Sequence, residues 1–145
     1  MPRTDFVCAP TLRVRWAEVD MQKIVFNGHY LTYIDTALAE YWRGIGLPYP
    51  EGYVERFGND IYLRKATLEY LGSARYDDEL TVYCRVARLG RSSMTFHFEI
   101  DRQAEVLITA ELVYVNADPS TMKAAPLPED LRARVLRYER LAPQA

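Results

Sequence analysis

One carboxylate, Asp20, lies in a short connection ten residues before an aromatic residue, Tyr30, that opens a strongly apolar segment. A carboxylate beside the backbone amides of a helix start can activate water, while those amides receive the negative charge that develops on a carbonyl oxygen. These groups are the minimum equipment for hydrolysing an activated acyl group. The pattern therefore predicts an esterase-type enzyme that acts on thioesters.

A thioester needs little more than this, because its leaving group is a thiol with a pKa of about 8.5 that departs readily as the thiolate. A positioned general base contributes roughly 10²- to 10⁴-fold in rate. One well-placed oxyanion donor contributes roughly 3 to 4 kcal/mol. Asp20 has two open roles, as a base acting on water or as a nucleophile that forms an anhydride. The alternative to a catalytic role is a structural one, in which the Asp20 carboxylate stabilises a turn or caps the helix.

Three further polar residues near this segment or on a later strand have both a chemical and a structural interpretation. Glu18 could be a second acid, but a surface partner for Arg13 or Arg15 is the simpler expectation. His29 could orient the substrate, although a helix-start histidine with a structural hydrogen bond is expected more often. His97 falls on the polar side of its strand and is expected to be solvated.

The elements that must position these residues follow from the period of the apolar residues. Residues 12–17 alternate between apolar and charged side chains, which predicts a half-buried strand. From His29 to Arg43 the polar positions form one narrow stripe at helical spacing, so we expect a helix that other structure wraps. Four large side chains on this helix have two interpretations, as core residues or as the lining of an acyl pocket: Tyr30, Tyr33, Ile34 and Trp42. Residues 47–58 form a Gly/Pro-rich bridge.

Beyond the bridge the period changes to two, which predicts strands near residues 65–70, 80–86, 94–100 and 104–116. Four consecutive strands with short turns would form an antiparallel meander. A second helix is predicted in the tail from Pro128, where Leu127, Leu131, Val135 and Tyr138 form an apolar stripe. One long helix against a curved antiparallel sheet is an α+β arrangement.

Bulk properties exclude several classes of protein. The 145 residues suit a single domain over 1–145, and a net charge of −2 gives no electrostatic reason to bind nucleic acid. Cys8 and Cys84 fit no metal-binding pattern and are expected to be reduced thiols. The sequence shows neither a secretory signal nor a membrane-spanning run, so we expect a soluble, cytoplasmic protein.

Six segments together resemble the hotdog-fold acyl-CoA thioesterases of the 4-hydroxybenzoyl-CoA thioesterase family. Their order and spacing are more specific than any one of them. They occupy residues 15–20, 24–30, 69–80, 89–94, 118–120 and 126–128.

The resemblance implies a hotdog fold, with a sheet of five or six strands wrapped around one long central helix, plus a C-terminal helix. It also implies a dimer whose sheets join edge to edge, usually paired again into a homotetramer, with active sites at the dimer interface. The catalytic acid falls on Asp20, and the backbone amide that polarises the thioester carbonyl falls on Asn27. The implied substrate-binding positions around that amide are Val25, Phe26, His29 and Tyr30.

Two residues depart from the family pattern. Many relatives have glycine where this chain has Lys23, which would reshape the loop or place a cation near the acyl pocket. Asn27 replaces a tyrosine or histidine, which should alter specificity more than chemistry because the donor is a main-chain amide.

The phosphates of coenzyme A require cations near a surface turn. Arg88 and Arg91 flank Gly90 and precede Ser92 and Ser93, and the resemblance places nucleotide contacts near this turn. An ordinary solvated hairpin is the alternative. Arg75 could also bind a phosphate of coenzyme A, but it is expected to pair with Asp77 or Asp78. No metal or separate cofactor is expected, because coenzyme A is part of the substrate.

Other functions compete with an acyl-CoA thioester hydrolase. The carrier could be acyl carrier protein instead of coenzyme A, or the chain could be a non-catalytic acyl-CoA-binding module. Hydratases and dehydratases of the same fold pair a histidine with an acid, in a context that His97 lacks. No G-x-S-x-G motif is present, which excludes a nucleophile-elbow hydrolase. Phe26, Tyr30 and Tyr62 permit an aromatic acyl group, although medium aliphatic chains would also fit.

Overall fold

The computed structural model describes residues 2–145. Short 3₁₀ helices occur at Arg3–Asp5 and Trp16–Glu18. The longer elements, in chain order, are β1 (Thr11–Arg13), α1 (His29–Gly44), α2 (Glu51–Phe57), β2 (Asp60–Tyr70), β3 (Glu79–Leu89), β4 (Ser93–Arg102), β5 (Glu105–Ala117) and α3 (Glu129–Tyr138). None of the helices within residues 2–145 has the length and apolar character needed to cross a bilayer.

Helix α1 is the centre of the hydrophobic core, as its wide apolar surface predicts. Its side chains pack with the alternating apolar residues of β3, β4 and β5, and the ring of Tyr41 meets that of Phe96 at 5.4 Å. Gly46 ends the helical region with a φ of 79°, a left-handed conformation that glycine adopts without steric cost. The buried residues of α1 are Tyr30, Tyr33, Ile34, Ala37, Leu38, Tyr41 and Trp42.

The strands form one antiparallel sheet in the order β1-β3-β4-β5-β2. The α+β class is therefore as predicted, but the four-strand meander is wrong, because β2 pairs with β5 and not with β3. Both edges of β3 are already occupied, by β4 on one side and by β1 with the segments at Cys8 and Gln144 on the other. Only the free edge of β5 can accept β2, and residues 71–78 carry the chain back across the sheet.

Three local predictions differ from the structure. Strand β2 begins at Asp60, five residues before its predicted start. The first strand is limited to β1, because the chain turns after Arg15, whose amide donates to the Glu18 carboxylate at 2.8 Å and starts a 3₁₀ turn. The bridge at residues 47–58 contains the helix α2. Pro50 precedes this helix, and Gly58 ends it with a φ of 71°. Such a short helix has too few turns to show an apolar period.

Candidate active site

Asp20 lies in a tight loop that its own backbone closes. Val19 forms a bridge with Val25, and the Asp20 amide donates to the Ile24 carbonyl at 3.0 Å. The carboxylate Oδ1 accepts a hydrogen bond from the Gln22 amide at 2.8 Å. One oxygen is thus held by the loop, which fixes the direction of the carboxylate and leaves the other for a ligand.

Lys23 completes this loop in a left-handed conformation with a φ of 66°. The Lys23 amide donates to the Asp20 carbonyl at 3.0 Å and closes the turn. A left-handed conformation costs a non-glycine residue roughly 1 to 2 kcal/mol. Lys23 also places a cation in the wall of a cavity that Asp20 lines.

The backbone just before α1 has amides that no backbone carbonyl of residues 2–145 accepts. The His29 amide donates to the Phe26 carbonyl at 2.9 Å. The amides of Asn27 and Gly28 donate to no backbone acceptor in residues 2–145. They stand at the positive end of a helix of 16 residues. These amides are available to an anionic group or a developing oxyanion.

A cavity of about 440 Å³ brings several predicted residues together. The predicted residues among its lining are Asp20, Val25, Asn27 and Tyr30. Phe26 and His29, which were also predicted, are not in the lining, and their rings meet edge to face with 5.9 Å between their centres. The full lining is Asp20, Gln22, Ile24, Val25, Asn27, Tyr30, Tyr70, Leu71, Gly72 and Ser73.

The sequence interpretation missed the wall contributed by the end of β2. The Tyr70 hydroxyl donates to the Asn27 carbonyl at 3.2 Å, and its ring lies 5.7 Å from that of Tyr30. The Tyr30 hydroxyl in turn accepts from the Ala74 amide at 3.0 Å. The resemblance included residues 69–80, and that was the one signal that pointed to this segment.

Glu18 is a structural support for the loop. It is only 6% exposed, so the expectation of a surface pair is wrong in its location, although the predicted partner Arg15 is correct. Its carboxylate also accepts from the Tyr33 hydroxyl at 2.8 Å, which joins the loop to α1. Burial raises the pKa of Glu18, but the hydrogen bonds from Arg15 and Tyr33 outweigh burial and lower it below its ordinary value.

A second cavity, of about 380 Å³, lies on another side of Asp20. The rings of Trp16 and Tyr76 meet edge to face in its wall, with 5.3 Å between their centres. We call this the Trp16 cavity. Its lining residues are Trp16, Val19, Asp20, Lys23, Arg75 and Tyr76.

Arg75 does not form the ion pair that the sequence predicts. Asp78 pairs with Arg102 at 2.8 Å, and Asp77 lies 3.7 Å from Arg13. Arg75 contacts Asp78 through its backbone amide, at 2.8 Å. Its guanidinium therefore remains available to the Trp16 cavity.

The predicted coenzyme A turn lies at the opposite end of the sheet. Arg132 braces it by donating to the carbonyls of Gly90 and Arg91. Ser93 aligns with Val115 and hence with Tyr62 of β2, whereas the Asp20 cavity adjoins Tyr70. Tyr62 and Tyr70 are eight residue steps apart on β2, which corresponds to roughly 26 Å. One chain thus does not bring Arg88, Arg91, Ser92 and Ser93 to Asp20.

The two histidines take no part in either cavity beside Asp20. His29 is half-buried, and within residues 2–145 its ring has no hydrogen-bond partner, so the expected structural hydrogen bond is absent from the described part. His97 lies on the outer face of the sheet, 3.2 Å from Glu111, and not simply in solvent.

Comparisons with known proteins place the chain in a family. A profile of the thioesterase superfamily, 4HBT, matches residues 22–113, which is more than half of the chain. The chain belongs to the thioesterase superfamily. This membership confirms the predictions of a hotdog fold and of a hydrolase of the thioesterase type. The matched segment contains the start of α1 and begins two residues after Asp20.

Individual relatives extend the similarity along the chain. The acyl-CoA thioester hydrolase YbgC of Escherichia coli is 28% identical over 123 residues, or 84% of this chain and 90% of that one. A thioesterase of Thermus thermophilus, solved with coenzyme A and Zn, is 26% identical with a TM-score of 0.81, over 93% of this chain and 96% of that one. A 1,4-dihydroxy-2-naphthoyl-CoA thioesterase of Synechocystis shares the fold, with a TM-score of 0.79 at 19% identity, over 88% and 93% of the two chains.

Proposed function

We propose that this protein hydrolyses acyl-CoA thioesters to the free acid and coenzyme A. Asp20 is the general base or nucleophile, and the Asn27 amide is the oxyanion donor. The observation that carries the proposal is that Asp20 and Asn27 line the same cavity. The relative named an acyl-CoA thioester hydrolase and the thioesterase solved with coenzyme A support the substrate class.

As a general base, Asp20 takes a proton from a water molecule as the water oxygen attacks the thioester carbon. The carbonyl oxygen becomes an oxyanion, which accepts a hydrogen bond from the Asn27 amide. Collapse of this intermediate re-forms the carbonyl and breaks the carbon–sulfur bond. The coenzyme A thiolate leaves and receives the proton that Asp20 holds.

As a nucleophile, an Asp20 oxygen attacks the same carbon, and the thiolate leaves a mixed anhydride. Water then hydrolyses the anhydride and restores the carboxylate. The hydrogen bond from the Gln22 amide to Oδ1 suits both routes, because it orients the carboxylate and leaves the second oxygen to react.

A second copy of the chain supplies the coenzyme A turn in this proposal. Within one chain the turn is roughly 26 Å along β2 from the Asp20 cavity. The outer edge of β2 has no neighbouring strand in the described residues. If two β2 edges pair antiparallel, the Tyr70 end of one copy meets the Tyr62 end of the other. Arg88, Arg91, Ser92 and Ser93 of one copy then approach Asp20 of the next.

The test is the turnover of Asp20→Asn on a panel of short, long, branched and aryl CoA esters, measured by release of free coenzyme A thiol. We expect kcat/KM to fall at least about 100-fold, because the amide is no base and a poor nucleophile. Asp118→Asn is the matched control, since Asp118 Oδ1 also accepts an amide hydrogen bond two residues along, from Ser120 at 2.8 Å. A wild-type protein that binds the esters without hydrolysing them, or an Asp20→Asn variant with normal turnover, would contradict the proposal.

A further inference from the structure

The Trp16 cavity shares Asp20 with the cavity that contains Asn27. A thioester whose carbonyl carbon lies at Asp20 has two arms, the acyl group and the coenzyme A moiety. Asp20 lines both cavities, so each can hold one arm of a thioester that is attacked at this residue. The chemistry of the Trp16 cavity then indicates which arm it takes.

The walls of the Trp16 cavity are aromatic and exposed. Trp16 is 74% exposed and Tyr76 is 53% exposed, although both are large rings. Their edge-to-face contact at 5.3 Å holds them together at the surface. Exposed aromatic groups at a cavity mark a binding surface for a flat apolar group.

Two cations accompany these rings. In residues 2–145 neither the Lys23 ammonium nor the Arg75 guanidinium has a carboxylate within ion-pair distance or a side-chain hydrogen bond. Three other arginines, Arg13, Arg15 and Arg102, are by contrast paired with acids. An anionic ligand would therefore meet two uncommitted cations between aromatic walls.

We propose that the Trp16 cavity binds the acyl group of the substrate and selects planar acyl groups that carry a carboxylate. This inference rests on the proposed function. The acyl group begins at the carbon that Asp20 attacks, whereas the pantetheine arm separates that carbon from the phosphates of coenzyme A. Lys23 and Arg75 pair with the acyl carboxylate and offset its repulsion by Asp20.

The experiment compares kcat/KM for benzoyl-CoA with that for 3-carboxybenzoyl-CoA and 4-carboxybenzoyl-CoA. We expect the wild-type protein to prefer at least one carboxylated ester. Lys23→Gln and Arg75→Gln should each reduce that preference about two- to fivefold, which is the effect of one exposed ion pair. Lys123→Gln removes an exposed cation from a distant loop and should leave the preference unchanged.

S-acyl pantetheine thioesters, which lack the nucleotide, identify the source of the anion. A carboxylate preference that persists on these esters, and falls in the two variants, supports the proposal. Equal wild-type kcat/KM values for benzoyl-CoA and both carboxylated esters would overturn it. Loss of rate in the variants on all CoA esters, but not on pantetheine esters, would also overturn it by assigning the cations to the nucleotide.

In each of these outcomes benzoyl-CoA is hydrolysed, so the proposed function survives. Absence of hydrolysis of every ester would contradict the proposed function itself.

Discussion

At the scale of single residues, the carboxylates of Asp20 and Glu18 lie two positions apart and have opposite surroundings. Glu18 is buried and fully engaged by Arg15 and Tyr33. Asp20 is partly exposed, and within residues 2–145 one amide donates to its carboxylate. A group with all its hydrogen bonds committed is suited to support, and a group with a spare oxygen is suited to react.

Glu18→Gln should therefore destabilise the protein more than it changes the chemistry. The substitution removes the charge from the Arg15 pair, and we expect a loss of about 1 to 3 kcal/mol in the free energy of unfolding at pH 7. The pKa of Glu18 is lowered in the folded state, so its contribution is present above the ordinary value of 4.5 and is lost as the pH falls through the lower folded value. Urea denaturation of both proteins at pH 7 and pH 3 measures this difference. If the difference in unfolding free energy between Glu18→Gln and the wild type is the same at both pH values, the lowered pKa of Glu18 is contradicted.

Sequence alone predicted residues that the structure brings to one cavity, while it missed much of the cavity wall. Asp20, Asn27 and Tyr30 are close along the chain, so one local motif identifies them together. Tyr70 reaches Asn27 from the end of a strand 43 positions away, and Arg75 is released only because Asp77 and Asp78 pair elsewhere. Such contacts depend on tertiary structure, which residue type and spacing do not encode locally.

At the scale of elements, Glu139 connects the end of α3 to the edge of β3. Its carboxylate Oε2 accepts from the Val86 amide and from the Tyr41 hydroxyl, both at 2.7 Å. The Val86 amide lies next to an irregularity in the pairing of β3 with β4. Glu139 thus satisfies a backbone donor that has no strand beside it, and it ties α1, α3 and β3 together.

Glu139→Ala and Glu139→Gln should differ in their effects on stability. Alanine leaves the Val86 amide and the Tyr41 hydroxyl unpaired in the interior, which should cost about 2 to 4 kcal/mol, whereas glutamine can accept both hydrogen bonds. Burial raises the pKa of Glu139, so the contribution of this group is complete below the ordinary value of 4.5 and is lost as the pH rises through the folded value. The stability of Glu139→Gln relative to wild type should therefore increase from pH 5 to pH 8 in urea denaturation.

Glu129→Gln, an exposed carboxylate at the start of α3, is the control for this pH dependence. If stability relative to the wild type changes equally with pH in Glu129→Gln and Glu139→Gln, the change comes from net charge and not from the buried group.

Elements with a strong apolar period were predictable, and those set by competition between partners were not. Helix α1 and strands β3 to β5 agree closely with the predicted bounds, because each buries one full face. The place of β2 depends on which strand edge is free, and a period of two gives no information about the partner. The turn at Trp16–Glu18 interrupted an alternating pattern through one side-chain hydrogen bond to the Arg15 amide.

At the scale of the whole molecule, the outer edge of β2 is the surface that the proposed dimer requires. Leu63 on this strand is 49% exposed. Leu63→Glu should place a charge in the pairing edge, convert a dimer to monomers in sedimentation, and abolish hydrolysis because the coenzyme A turn comes from the other copy. Leu136→Glu on α3, where the leucine is 55% exposed, is the control and should leave both properties unchanged.

Mixing two inactive variants gives an independent check. Asp20→Asn and the double variant Arg88→Gln with Arg91→Gln each damage a different part of the site. Subunit exchange should restore about a quarter of the wild-type activity, because half of the dimers are mixed and one of their two sites has both intact parts. No recovery after proven exchange would place the whole site within one chain and contradict the shared arrangement.

Segments at Cys8 and Gln144 lie beside β3, at the side of the sheet opposite β2. This limits how many copies of the chain can join by pairing their edge strands. The outermost strand on that side, β1, has only three residues. So short an edge is a poor template for a further strand. Two molecules joined through β2 therefore end in short outer edges, which discourage growth into an extended fibre.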